Sequence, residues 1–208
     1  MKDYLLHQRI IELSLKHKLS HVSSCLTAVD IINEIYSQKD KDEVFILSSG
    51  HAALALYVVM EKYQGISAES LLQKHGVHPS FDKAEKIYCS TGSLGLGITV
   101  AVGYALSDRT KNVYCLISDG ESFEGSVWES LNFAGNHKLV NLKVYANING
   151  YSAYDKIDQG SLIAKLVAFL PTINIRLTDV NEYPSLQGIG GHYKVLTEHP
   201  FYDDIGVL

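Results

Sequence analysis

Asp119-Gly120 and Asn149-Gly150 each follow a short, largely apolar run, residues 112–118 in the first case and 142–148 in the second. A carboxylate or an amide at the end of a buried strand serves as a turn or cap, or offers oxygen to a hard cation. The two positions lie 30 residues apart, room for a loop, a crossover helix and the neighbouring strand, so the side chains can meet across adjacent strand ends. One carboxylate and one amide suit Mg²⁺ that already carries anionic phosphate, because a second carboxylate would overcharge the site. A third feature, Ser90-Thr-Gly-Ser-Leu-Gly-Leu-Gly97, precedes a stretch rich in Ala and Gly. Glycine lets backbone N–H groups approach an anion, and a helix N-terminus adds partial positive charge. Each feature alone has an ordinary explanation as a turn, a cap or tight helix packing. Their convergence at strand ends is what points to chemistry.

A sheet is needed to bring these residues together, and the hydrophobic pattern supplies one. A continuous apolar run with polar brackets at 112–118 predicts a strand buried on both faces, 142–148 predicts another buried strand, and shorter strands are expected at 43–48 and 172–177. Helical spacing of apolar residues predicts helices over 4–15, 52–63, 98–106, 126–138 and 162–170. A further helix is expected over 27–37, where Thr27-Ala-Val-Asp30 resembles a capping box. The stretch between 63 and 92 reads as irregular, and the chain beyond 177 as an extended arm. Strands alternating with helices imply an α/β fold, doubly wound, with a mainly parallel sheet and helices on both faces. Ligands in such folds sit beyond the carboxyl ends of the strands.

The 208 residues include 18 basic and 23 acidic side chains, for a net charge of −5, and 46% are hydrophobic. That size suits a single domain over 1–208. The charge balance, with no basic cluster, argues against nucleic acid and anionic membrane as partners. No apolar run reaches the roughly 18 residues of a spanning helix, and the first residues carry charges where a secretion signal needs its apolar stretch. Cys25, Cys89 and Cys115, at wide spacings, read as core residues in a reducing compartment, so a cytoplasmic location is expected. Of nine histidines, His7, His17, His75, His137 and His199 read as surface or packed residues.

Ser118-Asp119-Gly120, Glu124-Gly125, Trp128-Glu129, His137-Lys138-Leu139 and Asn147-x-Asn149, in that order, resemble the thiamine diphosphate motif of transketolases. His21-Val-Ser-Ser-Cys-Leu-Thr-Ala-Val-Asp30, Phe45-Ile-Leu-Ser-Ser-Gly-His51, His78-Pro79 and Thr91-Gly-Ser-Leu-Gly-Leu-Gly97 are similar to that family's other signature segments, and Pro171-Thr-Ile-Asn-Ile-Arg176 and His192-Tyr-Lys-Val-Leu-Thr197 to fragments of the closing one. The resemblance implies a diphosphate-binding domain in which Asp119, the Asn149 side chain and the Tyr151 carbonyl hold Mg²⁺, with Ca²⁺ or Mn²⁺ as substitutes. Gly92, Leu94, Gly120 and Glu121 would join Asp119 and Asn149 in binding thiamine diphosphate. His21, His51 and His78 would line the substrate channel as proton-transfer and hydroxyl-binding groups, and His192 would stand for a further histidine near the diphosphate. Glu124 and Glu129 would belong to a carboxylate network where the domain self-associates. The implied reaction is transfer of a two-carbon ketol unit between small sugars.

Several positions depart from the pattern. Nothing resembles the family's second, pyrimidine-binding domain, which contributes the glutamate that activates the cofactor. The resemblance therefore implies the N-terminal subunit of a split transketolase with a separate C-terminal partner chain, and dimers of such pairs. From about residue 157 the C-terminal part is shortened. Ser118 replaces the motif's first glycine, Asn147 stands where an acidic residue is common, and Ser23, Ser24 and Val77 differ from the usual glycines. Two alternatives stay open: another thiamine diphosphate reaction, such as deoxyxylulose-phosphate synthesis, and a non-catalytic binding or regulatory subunit.

Overall fold

The computed structural model describes residues 2–152 and 154–200. Four parallel strands, β1 (Val44–Leu47), β2 (Val113–Ser118), β3 (Leu142–Ile148) and β4 (Asn174–Leu177), lie side by side in chain order. The register pairs Leu47 with Leu116, Ser118 with Asn147, and Ile148 with Leu177, so the carboxyl ends of the two central strands finish level.

All six residues of β2 are buried because both faces are covered. Tyr114 and Leu116 point into a core built with α1 (Tyr4–His17), α2 (Val22–Gln38), α3 (Ala53–Gln64) and α4 (Ala68–His75). Val113, Cys115 and Ile117 point into a second core with α5 (Leu96–Ser107), α6 (Gly125–Asn136) and α7 (Gln159–Phe169). Phe45 and Leu47 against Ile46 repeat the same division on β1. This is the expected α/β arrangement with helices on both faces. The three cysteines are buried free thiols. Among the described residues no helix is long and apolar enough to cross a membrane.

Three expectations are corrected. α2 begins at Val22, five residues before Thr27, and its N-cap is His21 in the left-handed region at φ 61°, with no side-chain cap. The residues that resembled a capping box are used otherwise. Thr27 donates its hydroxyl to the Ser24 carbonyl inside the helix, and Asp30 takes the Asp3 N–H (2.8 Å) and the His7 ring (2.9 Å), tying α1 to α2. The stretch after α3 contains α4, capped by Ser67, whose side chain accepts from Ser70 N–H. The segment after β4 is not an extended arm throughout, for it closes in α8 (Gly188–Tyr193). Gly191 there packs so closely on the Leu186 carbonyl that a Cβ would overlap it. His192 in this helix gives its carbonyl to the His21 N–H (3.1 Å), which ties α8 to the start of α2.

Candidate active site

A cavity of about 290 Å³ opens beyond the carboxyl ends of β2 and β3. Asp119 begins the 3₁₀ turn Asp119–Phe123 directly after β2 and is 1% exposed. Its Oδ2 accepts from the N–H groups of Asn149 (2.8 Å) and Gly150 (2.6 Å), and its Oδ1 from Gly120 N–H (3.1 Å). The loop after β3 is thus fastened to the loop after β2 through this carboxylate. Burial pushes the Asp119 carboxyl up to about 6, opposed by those backbone N–H groups, which are its hydrogen-bond donors among the described residues. The Asn149 amide oxygen takes the Tyr151 N–H (3.0 Å) and lines the same cavity, as do Gly120 and Tyr151.

Among the described residues no group of three His, Cys, Asp or Glu side chains could hold a metal by itself. A cation here would rest on Asp119, the Asn149 amide, a backbone carbonyl and oxygens of its own ligand. These are hard oxygen donors around a buried carboxylate that forms no ion pair among the described residues, and they suit Mg²⁺ or Ca²⁺.

Glu121 lies outside the cavity wall, fully buried. One carboxylate oxygen accepts from the Ser48 hydroxyl (2.5 Å) and Gly95 N–H (2.9 Å), the other from Ser118 N–H (2.9 Å). It joins the end of β1, the glycine-rich loop and the end of β2 in one knot, and burial raises its pKa. Leu94 of that loop lines the cavity, whereas Gly92 lies beside the His78 ring without lining it. Gly97, the second residue of α5, faces the Ser48 backbone so closely that an added Cβ would stand 2.5 Å from Ser48 Cα.

Four histidines from four separate segments face this cavity: His21, His51, His78 and His192. The His21 and His192 rings are 4.6 Å apart, with His51 at 5.6 and 5.5 Å from them. His21 Nδ1 meets His192 Nε2 at 3.1 Å, and His192 Nδ1 meets Ser24 Oγ at 3.2 Å. Burial, reinforced by the neighbouring imidazoles, pushes His51 down to about 3. Burial and then His21 push His192 down to about 4, and burial and then His78 lower His21. Neutral imidazoles can each donate and accept one hydrogen bond, as proton-handling groups must.

The family model described as the thiamine diphosphate binding domain of transketolase matches residues 26–160. The chain belongs to the transketolase family. Transketolase-like protein 2 of Bos taurus is 34% identical over 150 residues, which cover 62% of this chain and 24% of that protein. One subunit of the apulose-4-phosphate transketolase of Phocaeicola vulgatus is 30% identical over 155 residues, covering 65% of this chain and 55% of that one. The transketolase of Campylobacter jejuni superposes with a TM-score of 0.69 at 20% identity, over 94% of this chain and 41% of that one, a likeness of fold. The matched region therefore spans about a quarter of the mammalian relatives' length and about half of the apulose-4-phosphate subunit's.

Within this transketolase domain, the cavity gathers His21, His51, His78, His192, Leu94, Asp119, Gly120, Asn149 and Tyr151. Glu124 and Glu129 lie outside it, Glu124 half-buried at the N-cap of α6 and Glu129 exposed. Sequence reasoning missed Ser24 as a partner of His192, and it missed Asp179, Asn181 and Gln187, which reach the cavity from the segment after β4. The pair Ser118 and Glu121, at capping-box spacing, was the available signal for the Glu121 knot.

The histidine cluster predicts an acid sensitivity with a definite sign. An unfolded histidine titrates near 6.5, whereas folded His192 and His51 stay neutral down to about 4 and about 3. As pH falls from 6.5 to 4 the unfolded chain takes up protons that the folded one refuses, and stability is lost at up to about 1.4 kcal/mol per pH unit for each group. Asp119 and Glu121, with raised pKa values, act in the opposite sense, so the effect is isolated by difference. Between pH 7 and 4.5 the melting temperature of His51→Gln is expected to fall less than that of the parent chain. Parallel curves would show that His51 does not titrate differently in the two states.

Proposed function

We propose that this chain is the diphosphate-binding part of a transketolase that transfers a ketol unit between small sugars, with the pyrimidine-binding domain supplied by a separate subunit. The observation that carries the reading is the meeting, in one cavity, of Asp119 and Asn149 with His21, His51, His78 and His192. Asp119, the Asn149 amide and the Tyr151 carbonyl would hold Mg²⁺, and through it thiamine diphosphate. Bound thiamine diphosphate supplies the electron sink for breaking a ketose between C2 and C3 and passing the two-carbon unit to an aldose. Gly120 and Leu94 form part of the cavity wall on the cofactor side, while Glu121 holds the glycine-rich loop from beneath. His21, His51, His78 and His192 hold substrate hydroxyls and move their protons, for which neutral rings are suited. Self-association is proposed to run through this diphosphate-binding domain, with Glu124 and Glu129 in a carboxylate network there.

Affinity purification of the full chain from its native host is the test, followed by assay of the recovered assembly with Mg²⁺, thiamine diphosphate and ketose donors, with and without phosphate. Ketol transfer lost on omitting thiamine diphosphate is expected. An assembly that binds neither cofactor nor a pyrimidine-binding chain, and transfers no ketol, would overturn the reading.

A further inference from the structure

Ser24 lies on the first turn of α2, facing the cavity, and its hydroxyl is the third member of a chain that runs Ser24 Oγ, His192 Nδ1, His192 Nε2, His21 Nδ1 at 3.2 and 3.1 Å. His21 Nε2 has no hydrogen bond to the protein among the described residues and belongs to a ring lining the cavity. The backbone bond from His21 N–H to the His192 carbonyl, together with the ring contacts, holds the two imidazoles in register.

We propose that Ser24 is a positioning residue that, through His192, leaves His21 Nε2 free to act as either donor or acceptor. The inference rests on the ketol-transfer reading only for the use made of that freedom. In one arrangement the Ser24 O–H donates to His192 Nδ1, His192 Nε2–H donates to His21 Nδ1, and His21 carries its proton on Nε2. In the other, His21 Nδ1–H donates to His192 Nε2, His192 Nδ1–H donates to the serine oxygen, and His21 Nε2 presents a lone pair. Both hold the same three exchangeable protons, and they interconvert through exchange with water, so the serine oxygen never has to give up its proton unreplaced. A hydroxyl serves both because it donates and accepts by rotating. Ketol transfer needs both states: an acceptor for the proton of the donor ketose hydroxyl, and a donor for the hydroxyl formed on the acceptor sugar. Among the described residues the other titratable groups lining this cavity are His51, His78, Asp119, Tyr151, Asp179 and Tyr193. Burial keeps His192 neutral at neutral pH, so tautomers rather than charges alternate.

Ser24→Ala would set a methyl group against His192 Nδ1. A buried N–H without a partner is worse tolerated than a bare lone pair, so His192 would settle with its proton on Nε2 and hold His21 in the donor state. Imidazole ¹⁵N shifts of the full-length labelled chain at pH 7.5 read this without any assay of activity. The parent chain is expected to show averaged His192 shifts, Ser24→Ala the limiting Nε2–H pattern, and Ser24→Thr the parent pattern. In the reconstituted enzyme Ser24→Ala should lose about 10- to 100-fold in kcat with donor KM nearly unchanged, and Ser24→Thr should restore it. Unchanged His192 shifts in a folded Ser24→Ala chain would overturn the inference. Shifts that move as expected in an assembly whose parent form transfers no ketol would uphold the tautomer control and sink the ketol-transfer reading instead.

Discussion

Replacing Asp119 by asparagine is expected to abolish Mg²⁺-dependent binding of thiamine diphosphate, with a loss in affinity on the order of 10³-fold. Two effects combine. The charged ligand for the cation disappears, and the amide of asparagine presents its own N–H bonds to a site where Asn149, Gly150 and Gly120 already donate theirs. Removing one partner from a buried, hydrogen-bonded charge site costs about 2–5 kcal/mol, which sets the scale of the loss. The cofactor-free chain should suffer less, because burial already disfavours the ionised carboxylate, as its upward shift to about 6 records. Isothermal titration with Mg²⁺ and thiamine diphosphate, beside a melting curve without them, separates the two. Asn149→Ala removes a neutral ligand and should weaken binding by a smaller factor. Parent-like binding by Asp119→Asn would mean that the cofactor is held elsewhere.

The second large effect concerns folding. Gly97→Val is expected to destabilise the chain by about 3 kcal/mol, since even a Cβ would lie 2.5 Å from the Ser48 backbone and no flexible side chain can yield there. Ser48 in turn donates to Glu121, so the damage should spread to the glycine-rich loop and the end of β2. Gly103, six residues further along the same helix, makes the internal control. Open space surrounds it, and Gly103→Ala should raise stability by about 0.5–1 kcal/mol through better helix propensity. Chemical denaturation of the three chains measures both changes. Equal stability of Gly97→Val and the parent would show that α5 can pull away from β1 at little cost.

The central strands, and the placing of Asp119 and Asn149 at their ends, are legible in the sequence because β2 is a nearly unbroken apolar run, β3 alternates Leu142, Val144, Ala146 and Ile148 on one face, and each is followed by a polar residue. Histidines 21, 51 and 78 are recognisable only through their neighbours in family-like segments, since isolated histidines carry no period. The start of α2 is misleading because Thr27 and Asp30 have capping chemistry but spend it on tertiary and intrahelical bonds, while the true N-cap is a left-handed histidine with no local signature. α8 is invisible for the opposite reason. Its sequence, Gly188-Ile-Gly-Gly-His-Tyr193, has poor helix propensity, and its carbonyl bond to His21 and close packing on Leu186 come from parts of the chain far away or already folded. Ser24 belongs to the same class, because its partner His192 lies far off in sequence, whereas Glu121 is half legible: its spacing from Ser118 is a local signal, while Ser48 and Gly95 lie at a distance.

The order of the strands in space, which repeats their order in the chain, bears on how the molecule is made. As the polypeptide leaves the ribosome, each new strand finds its neighbour already emerged, and no strand has to be threaded between two others. The closures are unequal. Residues 48–112 separate β1 from β2, about three times the length that separates β2 from β3, residues 119–141. The longer loop costs only about 1 kcal/mol more to close, but that penalty falls on the first pairing, so the union of β1 with β2 becomes the natural bottleneck of synthesis-coupled folding. His51, His78 and the glycine-rich segment all ride on that long excursion and are carried to their places by the same event. A ribosome stalled before β2 has emerged should therefore display a protease-sensitive nascent chain, and one stalled after β3 has emerged a resistant one.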